Sequence, residues 1–191
     1  MSIIHNTTLK PTKVELLTQW LPRQTWYRGT GTPELTRTGG FRLDDPAGAV
    51  GLEFAAVTDV SGPEPVTYHV PMAYRGAPLD GAEASLIGTT EHGVLGDRWV
   101  YDGAHDPVLL TELERLARGE VPAHAQRVSD QLDPTVRARL DAGAGAVRAE
   151  IVRVLESGDP AAGAGEVSAR WRPAGPDGPE REGVFVLFRA E

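Results

Sequence analysis

The hydrophobic positions change period along the chain. From Lys13 to Leu21, Val14, Leu17 and Leu21 recur at i, i+3 and i+7 with Leu16 and Trp20 beside them, and Pro22 follows. This broad apolar stripe ended by proline predicts a helix over about residues 12–21. From Leu35 the period falls to two: Phe41 and Leu43 alternate with Arg42 and Asp44, Asp45-Pro46-Ala47-Gly48 is turn chemistry, and Val50 to Val57 follows. Together they predict a hairpin. Val66, Tyr68, Val70 and Met72 then share one face of a third strand, with Pro71 implying an edge or a bulge. One face of this sheet is expected to be polar, because Arg42, Asp44, Thr67 and His69 alternate with the core positions.

Trp99 and Tyr101 repeat the strand pattern, and Asp106-Pro107 is a helix start. The aspartate accepts the first unpaired amides and the proline loses no bond there. Val108, Leu109, Leu110, Leu113 and Leu116 supply its apolar face, so a second helix is predicted over 107–118. Residues 119–146 read as a glycine- and alanine-rich connector, with Asp133-Pro134 predicted to open a short helix through Leu140. Residues 147–155 fit either period and are read as strand, ahead of two clearer strands at Glu166–Arg172 and Gly183–Arg189. The expected fold is therefore α+β: an antiparallel sheet over 35–102 with two packed helices, and a β-rich C-terminal extension over 147–191.

Charge and composition narrow the chemistry. Lys plus Arg is 19 against 27 Asp plus Glu, a net charge of −8 spread along the chain. Nucleic-acid binding needs clustered cations, so it is not expected. Cysteine is absent, which removes disulfides, thiolate metal sites and a cysteine nucleophile. The longest apolar runs are too short for a membrane span, and Met1 to Asn6 lacks a signal-peptide pattern, so a cytoplasmic location is expected.

Several segments carry a family resemblance. Ile4-His5-Asn6-Thr7-Thr8-Leu9-Lys10-Pro11-Thr12-Lys13, then Gln19-Trp20-Leu21-Pro22 and Trp26-Tyr27-Arg28-Gly29, come first. Thr67 to Arg75 follows with a Tyr-x-Val-Pro core, and Leu86-Ile87-Gly88-Thr89 with Val100-Tyr101-Asp102-Gly103-Ala104-His105-Asp106-Pro107 completes the set. In combination, residues 1–118 resemble the N-terminal cap domain of actinobacterial maltokinases, and are closest to stand-alone cap-like proteins, some loosely labelled glucan branching proteins. The resemblance implies a cystatin-like antiparallel sheet with packed helices, next to a kinase fold in the full enzymes.

Kinase chemistry of that class requires a catalytic aspartate, a metal-binding asparagine and a phosphate-anchoring lysine. Here Asn6 is the only asparagine and no lysine follows Lys13, so the family's catalytic residues have no positions to occupy. No G-x-S-x-G elbow or phosphate loop is present, and Gly29-Thr30-Gly31-Thr32-Pro33-Glu34 fails as a dinucleotide pattern. His92, His105 and His124 are not spaced as paired metal ligands, and His105-Asp106 reads as a helix cap rather than an acid–base pair. Glucan transfer needs two carboxylates in a cleft of the kind barrels provide. No catalytic residue, cofactor or metal is therefore expected.

Two functional readings follow. One is a non-catalytic accessory or regulatory partner of a sugar kinase or α-glucan enzyme, which predicts an exposed apolar patch. The alternative is a saccharide or small-molecule binding module, which predicts a concavity lined by aromatics. Candidate contact residues are Trp26, Tyr27 and Arg28 in one loop and Glu91, His92 and Arg98 in another, with both loops expected at one end of the sheet. Trp26 and Tyr27 also suit a purely structural role covering the first helix.

Overall fold

The computed structural model describes residues 9–126, 131–158 and 163–191. Its strands are β1 (Leu9–Lys10), β2 (Leu35–Asp44), β3 (Val50–Asp59), β4 (Val66–Arg75), β5 (Leu86–His92), β6 (Gly96–Asp102), β7 (His124–Ala125), β8 (Arg137–Leu140), β9 (Val147–Ile151), β10 (Gly165–Trp171) and β11 (Arg181–Ala190). Two short helices, α1 (Lys13–Trp20) and α2 (Pro107–Ala117), accompany them. The molecule is thus mostly antiparallel sheet, with strand order β1-β5-β6-β4-β3-β2-β10-β11-β9, β7 beside β2 and β8 beside β10. The short apolar alternation from Ile3 to Leu9 also suggests a strand; of it only Leu9, in β1, lies among the described residues.

Local chemistry sets the boundaries. Thr12 caps α1 in a capping box, accepting from the Glu15 amide while Glu15 reaches back to the Thr12 amide. Asp106 caps α2 by accepting from the amides of Val108 and Leu109 at 2.9 and 3.1 Å. In the β2–β3 turn, Asp45 takes the amides of Ala47, Ala49 and Val50, and Gly48 supplies the positive φ of 66°.

β3 is buried on both faces. Ala55 and Val57, with Tyr68, Val70 and Met72 of β4, pack under Leu16, Leu17, Trp20 and Leu21 of the α1 segment. Leu52, Phe54 and Ala56 face the other way, onto Phe41 and Leu43, the α2 leucines, and Val167, Trp171, Phe185 and Phe188. Residues from β9–β11 therefore share one core with residues from β2–β4. Contact between the two groups is very close at Gly39, where a Cβ would meet the Trp171 Cβ at 2.7 Å. Beside it, Gly40 adopts φ +123° just after the register shift between Arg37 and Gly39 while still paired with Ala55 of β3, and a Cβ there would lie 2.1 Å from the Phe54 carbonyl oxygen.

The pairing closes into a ring. β4–β3–β2–β10–β11–β9 is continuous, and the chain leaving β9 returns to the free half of β4. There the His69 amide donates to the Arg153 carbonyl at 2.9 Å and the Leu155 amide to Thr67 at 2.8 Å. The remaining half of β4, Met72 to Arg75, pairs with β6. Pro71 lies in a strand paired on both sides rather than at an edge. It falls where the partner changes, and the amide it lacks would point, like that of His69, away from β3 into that junction.

Three further expectations are corrected. The short helix from Asp133 to Leu140 is instead a turn followed by strand β8: Asp133 accepts from the Thr135 amide and hydroxyl, and Val136, Ala138 and Leu140 pack inward at period two. The polar sheet face does not form: register places Arg42 beside Glu53 and Met72 on one face and His69 beside Ala56 on the other, and His69 and Thr67 are buried under the returning segment and β11. The segment that carries Glu91, His92 and Arg98, read as a loop, is the end of β5, a turn and the start of β6.

Candidate functional site

The predicted contact residues fall into two separate places. Trp26 lies between Trp20 and Tyr68, with ring centroids at 5.7 and 5.9 Å, and the Arg153 guanidinium stacks on it at 4.9 Å. Arg153 is fixed in turn by Asp102 at 2.6 Å. The Tyr27 hydroxyl donates to Asp59 at 2.9 Å, and burial, then the Asp59 bond and charge, push its pKa up to about 12. The Arg28 amide donates to the Tyr68 hydroxyl, while its side chain reaches into solvent beside Glu156. Trp26 and Tyr27 thus cover α1 and the end of β4, and only the Arg28 side chain is presented outward.

Glu91, His92 and Arg98 belong to the β5–β6 hairpin. The Nδ1 of His92 accepts from the amides of Val94 and Leu95 at 3.3 and 3.1 Å, which shapes the turn. Arg98 extends along the backbone beside Gly76. Arg28 is anchored at Tyr68 whereas β6 pairs with Arg75, so the two groups are separated by most of β4, about 23 Å at about 3.3 Å per residue. They lie at opposite ends of the sheet, not at one end.

Two buried polar centres had escaped the sequence reading. Glu53, 3 % exposed, takes Lys13 on Oε2, Arg37 on Oε1 at 2.8 Å, Gln126 on Oε1 at 2.8 Å and the Tyr74 hydroxyl on Oε2 at 2.9 Å. Burial works to raise its pKa, but the charges of Lys13 and Arg37 and the bonds from Lys13 and Tyr74 hold it at about 2. His69, fully buried, points its Nδ1 at the carbonyls of Val152 and Phe185, 3.2 and 3.1 Å away. Two carbonyl acceptors require the proton on Nδ1, which leaves Nε2 buried without a hydrogen-bond partner. Burial, then the Arg153 charge, push this imidazole down to about 3 despite those two bonds. A charged residue inside the apolar run Val50-Gly51-Leu52-Glu53-Phe54-Ala55 was the available signal for the first centre. For the second no signal existed, because its partners are distant carbonyls.

Surface features are modest. Among the described residues the exposed large hydrophobics are Val60, Val94, Leu95 and Leu132, of which only Val94 and Leu95 adjoin. No cluster of three or more His, Asp or Glu suited to a metal ion occurs among the described residues. No helix among them is long and apolar enough to cross a membrane. Two open, mixed polar grooves are present, one on β8–β10–β11 and one on β1–β5–β6. Val94 and Leu95 alone do not make the broad apolar patch, and neither of these two grooves is the enclosed aromatic concavity.

Residues 20–106 match the family model of the maltokinase N-terminal cap domain. Over these residues the chain is similar to that family. The matched segment runs from the end of α1 to the residue that caps α2, and includes Glu53, His69 and both groups of predicted contact residues. No curated protein matches the chain. The strands that close the ring on the cap, β9 to β11, lie beyond the matched segment.

Proposed function

We propose that the protein is a non-catalytic, cytoplasmic cap-like protein acting as an accessory or regulatory partner in sugar-kinase or α-glucan metabolism. The observation that carries this reading is the cap-domain match over 20–106 in a chain whose only asparagine is Asn6 and whose last lysine is Lys13. Residues 1–191 therefore hold no set of side chains for kinase chemistry of that class. The cystatin-like description of the cap fits α1 lying across one face of an antiparallel sheet.

The contact most consistent with this role is the β5–β6 tip, where Val94 and Leu95 are 63 % and 45 % exposed between Glu91, His92 and Arg98. Apolar side chains held out on a rigid hairpin suit a groove on a partner. The test has two arms. The purified chain should produce no ADP from ATP and maltose and leave the iodine spectrum of amylose unchanged. It should also bind a maltokinase or α-glucan enzyme from the same genome, and Val94→Ser with Leu95→Ser should abolish that binding. Turnover by the chain alone, or binding indifferent to the tip, would overturn the reading.

A further inference from the structure

Three strands at one end of the sheet, with the neighbouring end of β4, present two adjacent rows of side chains on one face. Lys10, Glu91 and Asp97 are direct cross-strand neighbours on β1, β5 and β6. In the next row Thr89 stands opposite Trp99, and Trp99 opposite Arg75 of β4. Residues two apart on a strand share a face, and Lys10, Thr89, Glu91, Asp97 and Trp99 accordingly line one shallow groove of about 310 Å³. That volume is at the lower end of the range for ligand sites, about 300–1,000 Å³.

The polar groups in this groove are uncommitted. Among the described residues, no hydrogen bond or ion pair engages the side chains of Lys10, Thr89, Glu91 or Asp97, or the indole of Trp99. Glu91 and Asp97 face each other directly, an arrangement of like charges that weakens a sheet. The groove on β8–β10–β11 differs: Arg137 is paired with Glu182, and Arg139 with Asp141 and Glu166, at 2.9–3.6 Å. Its charges form a structural ladder, whereas those around Trp99 are left for a ligand.

We infer that the Trp99 groove binds a neutral saccharide through one sugar ring. The apolar face of a pyranose matches the accessible part of the half-buried Trp99 indole. Its hydroxyls donate to the Glu91 and Asp97 carboxylates and accept from Lys10 and Thr89. Two carboxylates repel a phosphate. An alkylammonium could use the ring and the carboxylates, but it would leave Lys10 and Thr89 idle. The inference goes beyond the partner reading and uses neither Val94 nor Leu95.

The test is a titration of the full-length ¹⁵N-labelled chain with maltose, glucose and trehalose, and separately with tetramethylammonium. A saturable shift of the Trp99 indole N–H and the Thr89 and Glu91 amides is expected with at least one sugar, with the Trp26 indole unmoved. Trp99→Ala should abolish it. The exposed pair Glu91→Gln and Asp97→Asn, with the rest of the spectrum intact, should weaken it about tenfold or more, the loss expected for charge-assisted hydrogen bonds. Should Trp99→Ala fail to fold, Thr89→Arg serves as the blocking variant. No shift at Trp99 with any of the three sugars, or tighter binding of tetramethylammonium at the same residues, overturns the assignment. Either result is independent of partner binding, because the Val94→Ser and Leu95→Ser variant should bind sugar normally.

Discussion

The main-chain amide of His69 donates to the carbonyl oxygen of Arg153 across 2.9 Å, which joins the middle of the cap sheet to the segment that follows β9. The His69 side chain reinforces the same seam through Val152 and Phe185. One residue of β4 thus holds both β11 and the segment after β9. What the sequence presents as an extension is mechanically part of the sheet.

Removal of residues 147–191 should therefore destroy cooperative folding rather than release an intact cap. It would leave the amide of His69 and the carbonyl of Thr67 unpaired, and would strip Phe185 and Trp171 from a core that includes Phe41 and Phe54. Near-ultraviolet circular dichroism and dye binding check this. A truncated chain that melts sharply within a few degrees of the full protein would refute it.

Acid should weaken the fold through His69. Its ordinary value is 6.5 and its folded value about 3, so the unfolded chain takes up a proton that the folded chain refuses. The stability this provides is full above about pH 6.5 and is lost progressively as pH falls towards about 3, by on the order of 1 kcal/mol per pH unit. Urea unfolding at a series of pH values should show that slope, and His69→Gln should flatten it between pH 6.5 and the carboxylate range. An unchanged slope in the variant would exclude His69 as its source.

Glu53 acts in a lower window. Its carboxyl is held at about 2 against an ordinary 4.5, so its contribution is complete above about pH 4.5 and disappears as pH falls towards 2. Glu53→Ala should cost about 3–5 kcal/mol, because it leaves Lys13 and Arg37 without their shared partner in a half-buried position. A double variant with Arg37→Met should recover part of that loss in the same unfolding assay. Additive losses would show that the ion cluster is not the cause.

Much of the cap was legible because its signals are local. Thr12 and Asp106 cap the two helices within a turn of themselves, and Phe41 and Leu43 alternate with Arg42 and Asp44 as a half-buried strand should. What failed to show depends on distant neighbours. Thr67 and His69 look like a solvated face until a segment more than eighty residues later covers them. Asp133-Pro134 has the chemistry of a helix start, yet pairing of Arg137 to Leu140 with β10 prevails over it. The separation of Arg28 from Arg98 likewise follows from register, which periodicity alone does not reveal.

The Trp26-Tyr27-Arg28 triplet should divide on substitution. Trp26 packs on Trp20, Tyr68 and Arg153, so Trp26→Ala should cost about 2 kcal/mol or more, short of a fully buried tryptophan. The Arg28 side chain is 58 % exposed and its partner Glu156 is 70 % exposed. Exposed pairs contribute about 0–1 kcal/mol, and the backbone amide that meets Tyr68 survives the change. Arg28→Ala should accordingly leave the melting temperature within a few degrees of the parent, as should His92→Ala, since losing its two long turn bonds affects only the hairpin tip. Thermal denaturation of the three variants decides it. If Arg28→Ala unfolds the protein while Trp26→Ala is silent, the division between supporting and presented side chains is the reverse of the one drawn from these contacts.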